Sequence, residues 1–141
     1  TVNESNPGGK IVYSCFGASS ATTKIALPLV KEMFYGQTTA VTVQNVGTSD
    51  TQITLYYKTG STTYTVGPYT VSAGAAMNFF KLSDDDRWNS LYGVGDQVDA
   101  NTNNAVIIES SSEPIVAIAQ ESSQGTSKID VKNYEGFNLQ P

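Results

Sequence analysis

The block from Thr39 to Phe80 constrains the fold more than any other part of the chain. Val41 and Val43 alternate with Thr42, and Ile53, Leu55 and Tyr57 alternate with Thr54 and Tyr56. A period of two sends successive side chains to opposite faces, the signature of half-buried strands. Asn45-Val46-Gly47 and Thr48-Ser49-Asp50 supply the turn between the two runs. Gly and Asn tolerate positive φ there, and Ser and Asp bond their own backbone. Further strands are expected over 24–30, 62–66, 75–82, 105–110, 114–121 and 128–133. Pro28 lacks an N–H, so its strand lies on an edge or ends there. Gly67-Pro68 and Ala73-Gly74 bracket a short segment carrying Tyr69 and Val71. Short strands with turns about every ten residues make an all-β chain, an antiparallel β-sandwich of immunoglobulin-like or jelly-roll-like type. Ser83-Asp84-Asp85-Asp86 is the convincing helix start, with Ser83 as N-cap and the aspartates favoured by the helix dipole, so one short helix is expected near 84–92.

The first residues do not fit the sandwich pattern. Thr1 to Gly9 holds Asn6-Pro7-Gly8-Gly9 and no apolar alternation, and reads as a flexible arm or turn. Lys10 to Phe16 is apolar on both faces, with Ile11, Tyr13 and Cys15 on one and Val12 and Phe16 on the other. A strand of that kind must be covered on both sides. The expected organisation is an N-terminal arm over 1–23, carrying a candidate donor strand over 10–16, and a β-sandwich domain over 24–141. Tyr134, Phe137 and Leu139 place apolar groups in the tail, suited to docking on the body or on a neighbour.

Composition narrows the function. Charged residues make up 15% of the chain and the net charge is -5, which argues against nucleic acid or anionic lipid as partner. No stretch approaches the ~20 apolar residues of a membrane-spanning helix. The chain opens at Thr1, read as a mature product after signal-peptide removal. Cys15 is the single cysteine, so no internal disulfide forms, and its plain reading is a small buried apolar residue. There is no histidine, which removes the usual general base and Ser-His-Asp or Cys-His catalysis. The 13 Asp and Glu leave carboxylate-pair hydrolysis formally open, but acids scattered over turns are ordinarily solvated surface, and the chain reads as a non-enzyme without cofactors. Asp84, Asp85 and Asp86 are weak calcium candidates, because their spacing does not match the EF-hand loop and a capped helix start accounts for them. Asn3-Glu4-Ser5 fits the Asn-x-Ser glycosylation pattern. Trp88, Tyr92 and other tyrosines are candidates for stacking on sugars, beside the plainer reading of β packing.

From Lys24 the sequence resembles a β-sandwich repeat of secreted and cell-surface proteins of filamentous thermophilic bacteria of the Chloroflexus type. The matching residues include Leu27-Pro28-Leu29-Val30, Tyr35-Gly36, Thr38-Thr39 and Val43-Gln44-Asn45-Val46-Gly47. Ala73-Gly74, Pro114-Ile115-Val116-Ala117 and Tyr134-Glu135-Gly136-Phe137 extend it to Phe137. More loosely, the Asn-x-Gly turn is similar to that of immunoglobulin-like adhesion modules of bacterial surfaces. The motifs are structural turns, so the resemblance implies a fold and an extracellular or cell-surface location. Such repeats sit in tandem, whereas this chain has one copy preceded by an extra strand. That departure points to a subunit of an extracellular filament or surface layer. Ile11, Val12, Tyr13, Cys15 and Phe16 would enter the next copy, and Tyr134, Phe137 and Leu139 would pack at the same junction, giving a head-to-tail homopolymer. Glycans are a further expected partner. The same strand can also be the first strand of its own sandwich, and the alternative function is an adhesin or carbohydrate-binding module of a larger surface protein.

Overall fold

The computed structural model describes residues 2–6, 9–13, 21–79, 98–99, 101–123 and 131–139. Among them the chain is all-β and antiparallel. The strands are β1 (Val2–Asn6), β2 (Gly9–Tyr13), β3 (Lys24–Glu32), β4 (Gln37–Asn45), β5 (Thr51–Thr59) and β6 (Thr62–Val71). They continue with β7 (Ala76–Phe79), β8 (Thr102–Ser110), β9 (Ile115–Ser123), β10 (Val131–Glu135) and β11 (Phe137–Asn138). One sheet runs β10-β9-β4-β7 and the other β11-β3-β8-β5-β6, with β1 and β2 forming a separate two-stranded sheet. The expected helix near 84–92, with Asp84, Asp85, Asp86, Trp88 and Tyr92, lies outside the described residues, as do Cys15 and Phe16.

The alternation seen in the sequence becomes the core. Val41, Val43, Ile53, Leu55 and Tyr57 all have no exposed surface and meet Ile25, Leu27, Val106, Ile108, Ile115 and Phe79 between the two larger sheets. Burying a side chain of this size contributes about 1.5–3 kcal/mol, so this apolar middle layer holds the sandwich together. The β4–β5 turn falls where the sequence implies but closes differently, because neither Asn45 nor Gly47 takes a positive φ and the Asn45 side chain makes the bonds. The Asn45 side chain accepts from the Gly47 N–H at 2.9 Å and donates to Ser49 O at 2.8 Å and Val71 O at 3.0 Å.

Three features differ from the sequence reading. Val2–Asn6 is a strand, not a loose arm: Val2 pairs opposite Tyr13 and Asn6 opposite Gly9. Nothing in its own pattern announces this, because the strand exists through its pairing. Second, β6 continues to Val71 past Gly67-Pro68, where the sequence suggests a break. The pairing with β5 slips between Ile53 and Leu55, so Gly67 and Pro68 form a bulge. Gly67 has φ +105°, and a Cβ there would meet Ile53 O at 2.8 Å, so the bulge needs glycine. Third, β10 and β11 are one path that changes sheet at Gly136. Tyr134 pairs opposite Ala119 in one sheet and Phe137 opposite Ala26 in the other. A Cβ on Gly136 would collide with Ile25 Cγ2, which explains a glycine at the crossing.

Candidate functional site

Buried charge gathers where β3 turns into β4, and a one-residue irregularity creates the arrangement. Leu27 pairs opposite Val106 but Val30 pairs opposite Asn104, so Pro28 and Leu29 together oppose one residue of β8. A bulge of this kind reverses which face later side chains take. Ile25 and Leu27 point inward, and beyond the bulge Val30 and Glu32 do so, leaving Leu29 40% exposed. Regular alternation would have buried Leu29 and Lys31 instead. Pro28 suits the bulge because it has no N–H to lose from the ladder.

Glu32 therefore enters the gap between the sheets with no exposed surface. Thr39 on β4, Asn104 on β8 and Glu121 on β9 occupy the inward positions next to it in the alternation, all at 5% exposure or less. The apolar core ends here in a polar layer containing two carboxylates. Buried charge is costly unless paired. Lys31 Nζ meets Glu121 Oε1 at 3.3 Å and donates to Gln37 Oε1 at 2.5 Å. Asn104 Nδ2 donates to Thr102 Oγ1 at 2.9 Å and Val30 O at 3.3 Å, and among the described residues nothing donates to its Oδ1.

Above this layer the chain reverses within four residues. The Phe34 N–H donates to Gln37 O at 2.9 Å and the Gln37 N–H to Phe34 O at 3.0 Å. Thr38 and Thr39 hydroxyls accept from the Met33 and Lys31 N–H groups at 3.1 and 2.9 Å. Met33, Tyr35 and Gly36 have φ of 54°, 49° and 74°. Left-handed backbone is uncommon for bulky residues, and such conformations persist where surrounding bonds over-determine them. The turn presents Tyr35 at 86% exposure, its ring edge-on to Phe34 with centroids 4.6 Å apart. Nearby, the Tyr64 hydroxyl donates to Asp99 Oδ2 at 2.8 Å, and that bond to a carboxylate raises the phenol above its ordinary range.

The residues expected at an assembly junction fall elsewhere. Ile11, Val12 and Tyr13 belong to β2, which lies beside β10, the strand that carries Tyr134. Phe137 sits on β11, and the Leu139 N–H donates to Lys24 O at 2.9 Å. Asn3 lies on β1 opposite Val12. The backbone thus gathers β2 and the sheet-switching strand along one side of the molecule. A shallow polar groove of about 270 Å³ lies between β5, β6 and β8, and its carboxylate, Glu109, is tied to Lys24 at 2.9 Å. Among the described residues no three His, Cys, Asp or Glu side chains group as metal ligands, and no helix is long and apolar enough to cross a membrane.

Glu32, and Glu121 with its partner Lys31, escape a sequence reading that assigns acids to solvated turns. Two signals were present. Glu121 continues the inward series of Ile115, Ala117 and Ala119, and Pro28 inside a strand run marks a bulge.

These features define an antiparallel β-sandwich with one charged end. No protein-family model matches the chain, and no curated protein matches it. Among solved structures it is similar to Thermotoga maritima 1070, with a TM-score of 0.60 at 12% identity over 82% of this chain and 92% of that one. It is also similar to the Anabaena sensory rhodopsin transducer, with a TM-score of 0.46 at 24% identity over 67% of this chain and 90% of that one. At 12% identity the Thermotoga likeness concerns the fold alone.

Proposed function

We propose that the chain is a structural subunit of an extracellular filament or surface layer, exported through a signal peptide and polymerised head-to-tail by its N-terminal strand. The observation that supports this reading is the separateness of β1 and β2, which pair with each other and join neither larger sheet. An isolated two-stranded hairpin is marginally stable in water, so β2 is the element most readily exchanged for a neighbour's. Strand addition takes affinity from main-chain bonds and specificity from alternate side-chain pockets. A head-to-tail contact that does not close on itself gives a filament. Ile11, Val12, Tyr13, Cys15 and Phe16 enter the next copy, while Tyr134, Phe137 and Leu139 line the junction. Asn3 and the exposed Thr63, Thr65 and Thr70 of β6 are the positions offered for glycans.

Electron microscopy of the native protein beside a version lacking residues 1–21 tests this. Filaments from the full chain and only monomers from the truncated one are expected. Monodisperse particles from both overturn the reading.

The exposed ring of Tyr35 favours a second reading, a carbohydrate-binding module or adhesin. It predicts a monomer that binds glycans and loses that binding in Tyr35→Ala.

A further inference from the structure

We propose that Lys31 and Gln37 become joined by an intramolecular isopeptide bond, with Glu121 relaying the protons. This is a covalent modification site within the fold, and it does not depend on whether the protein polymerises.

The reacting groups are already in place. Lys31 Nζ lies 2.5 Å from Gln37 Oε1 and 3.3 Å from Glu121 Oε1. It is the Gln37 oxygen that faces the amine, because both nitrogens carry only donors. A carbonyl bond is about 1.2 Å long, so Gln37 Cδ lies no more than about 3.7 Å from Nζ, near the ~3–3.5 Å of a near-attack arrangement. The side chains of Lys31 and Glu121 are 18% and 6% exposed, so little water competes with the amine. Lys31 and Gln37 stand on either side of the Phe34–Gln37 turn, whose paired backbone bonds and threonine hydroxyls hold the two strand ends together. That fixed geometry replaces the entropy that a bimolecular reaction would lose.

The step balances without an oxidant or a co-reactant. Glu121 takes a proton from the Lys31 ammonium, and the freed lone pair attacks Cδ while the carbonyl π pair moves to Oε1. As that pair returns, the Cδ–Nε2 bond breaks. Nζ gives up two protons in all, one making the departing nitrogen ammonia and the other making it ammonium. Glu121 ends as the carboxylate it began, and Nζ is bonded to Cδ as a secondary amide. Glu121 is the other acyl group beside the amine, 3.3 Å away, and as the carboxylate that takes the proton it is the poorer electrophile. With one cysteine in the chain, no internal disulfide offers an alternative covalent staple.

Intact-mass measurement of the full chain, followed by tryptic mapping, decides the matter. The expected mass is lower than that of the sequence by one ammonia. Trypsin should fail to cut after Lys31, leaving one peptide from Ile25 to Lys58 with the loss mapped to the Lys31–Gln37 pair. Lys31→Arg and Glu121→Gln should each restore the full mass. A wild-type chain at full mass overturns the proposal, and so does a loss of water mapped to Lys31 and Glu121. If either variant fails to fold, the wild-type mass and peptide map still decide.

Discussion

The two ends of the sandwich close the same apolar core with different chemistry. At the Asn45 end the buried closing groups are neutral, and the two carboxylates there, Glu113 and Asp50, accept from the Thr48 and Ala73 N–H groups nearer the surface. Asn45 uses both its amide and its carbonyl on backbone partners, and Thr51 Oγ1 gathers Ser110, Ser111 and Ser112 hydroxyls within 2.8–3.3 Å. At the Tyr35 end the closing groups carry charge, the backbone adopts left-handed φ at large residues, and an aromatic ring stands in solvent. Neutral groups satisfied by backbone are inexpensive to bury, whereas an ion pair seldom repays its desolvation. One end therefore follows what stability alone requires. The other carries features that stability does not explain, and the proposed Lys31–Gln37 bond and the exposed Tyr35 ring both lie there.

The sharpest way to break this comparison is to remove one group from each end. Asn45→Ala strips three bonds from a fully buried position and should cost about 3 kcal/mol or more, seen as a lower urea midpoint. Thr39→Val keeps shape and removes one acceptor, from the Lys31 N–H, and should cost only about 1 kcal/mol. Equal losses would mean that both ends are simply structural closures.

A smaller effect of opposite sign is expected at Tyr35. Asn tolerates left-handed φ and is favoured in tight hairpin turns. Relief of about 1 kcal/mol of backbone strain outweighs an exposed ring contact of about 0.5 kcal/mol. Tyr35→Asn should then raise the thermal midpoint slightly while weakening any contact made by the ring. A lowered midpoint would show that the ring serves to hold the turn.

The smallest effect separates the ends by pH. The Tyr64–Asp99 bond holds the phenol above its ordinary value of 10. A raised folded-state value means that the bond is fully present below pH 10 and is lost as pH rises through the folded-state value. Asp99→Ala should move the Tyr64 ring titration downward, as followed by NMR. An unmoved titration would remove that tie from the charged end. The amides and hydroxyls of the Asn45 end have no counterpart in that range.

Much of the fold was legible because alternation is a local property. Ile53, Leu55 and Tyr57 had to face one way and Thr54 and Tyr56 the other, whatever lay across from them. The place of the Asn45 turn was legible from its residue types, but its closure was not, since no positive φ is used there and the Asn45 side chain instead bonds the N–H two residues on. The charged layer was not legible, because it depends on the bulge at Pro28-Leu29. Pro28 marked a disturbance, but whether it meant an edge, an end or a bulge was settled by β8 pairing on either side of it. Val2–Asn6 is similar: its strand exists only because Gly9–Tyr13 lies opposite.

The sequence by itself determined the class of architecture, the inward residues of the central strands and the place of the Asn-x-Gly turn, because side-chain parity and turn preferences need only near neighbours. The tertiary structure alone decided that Glu32 and Glu121 are both buried at one end of the sandwich, that Lys31 stands between Gln37 and Glu121, and that the chain changes sheet at Gly136. Each of those depends on the register between strands far apart in the chain. A slip of one residue in that register exchanges the face on which every later side chain falls.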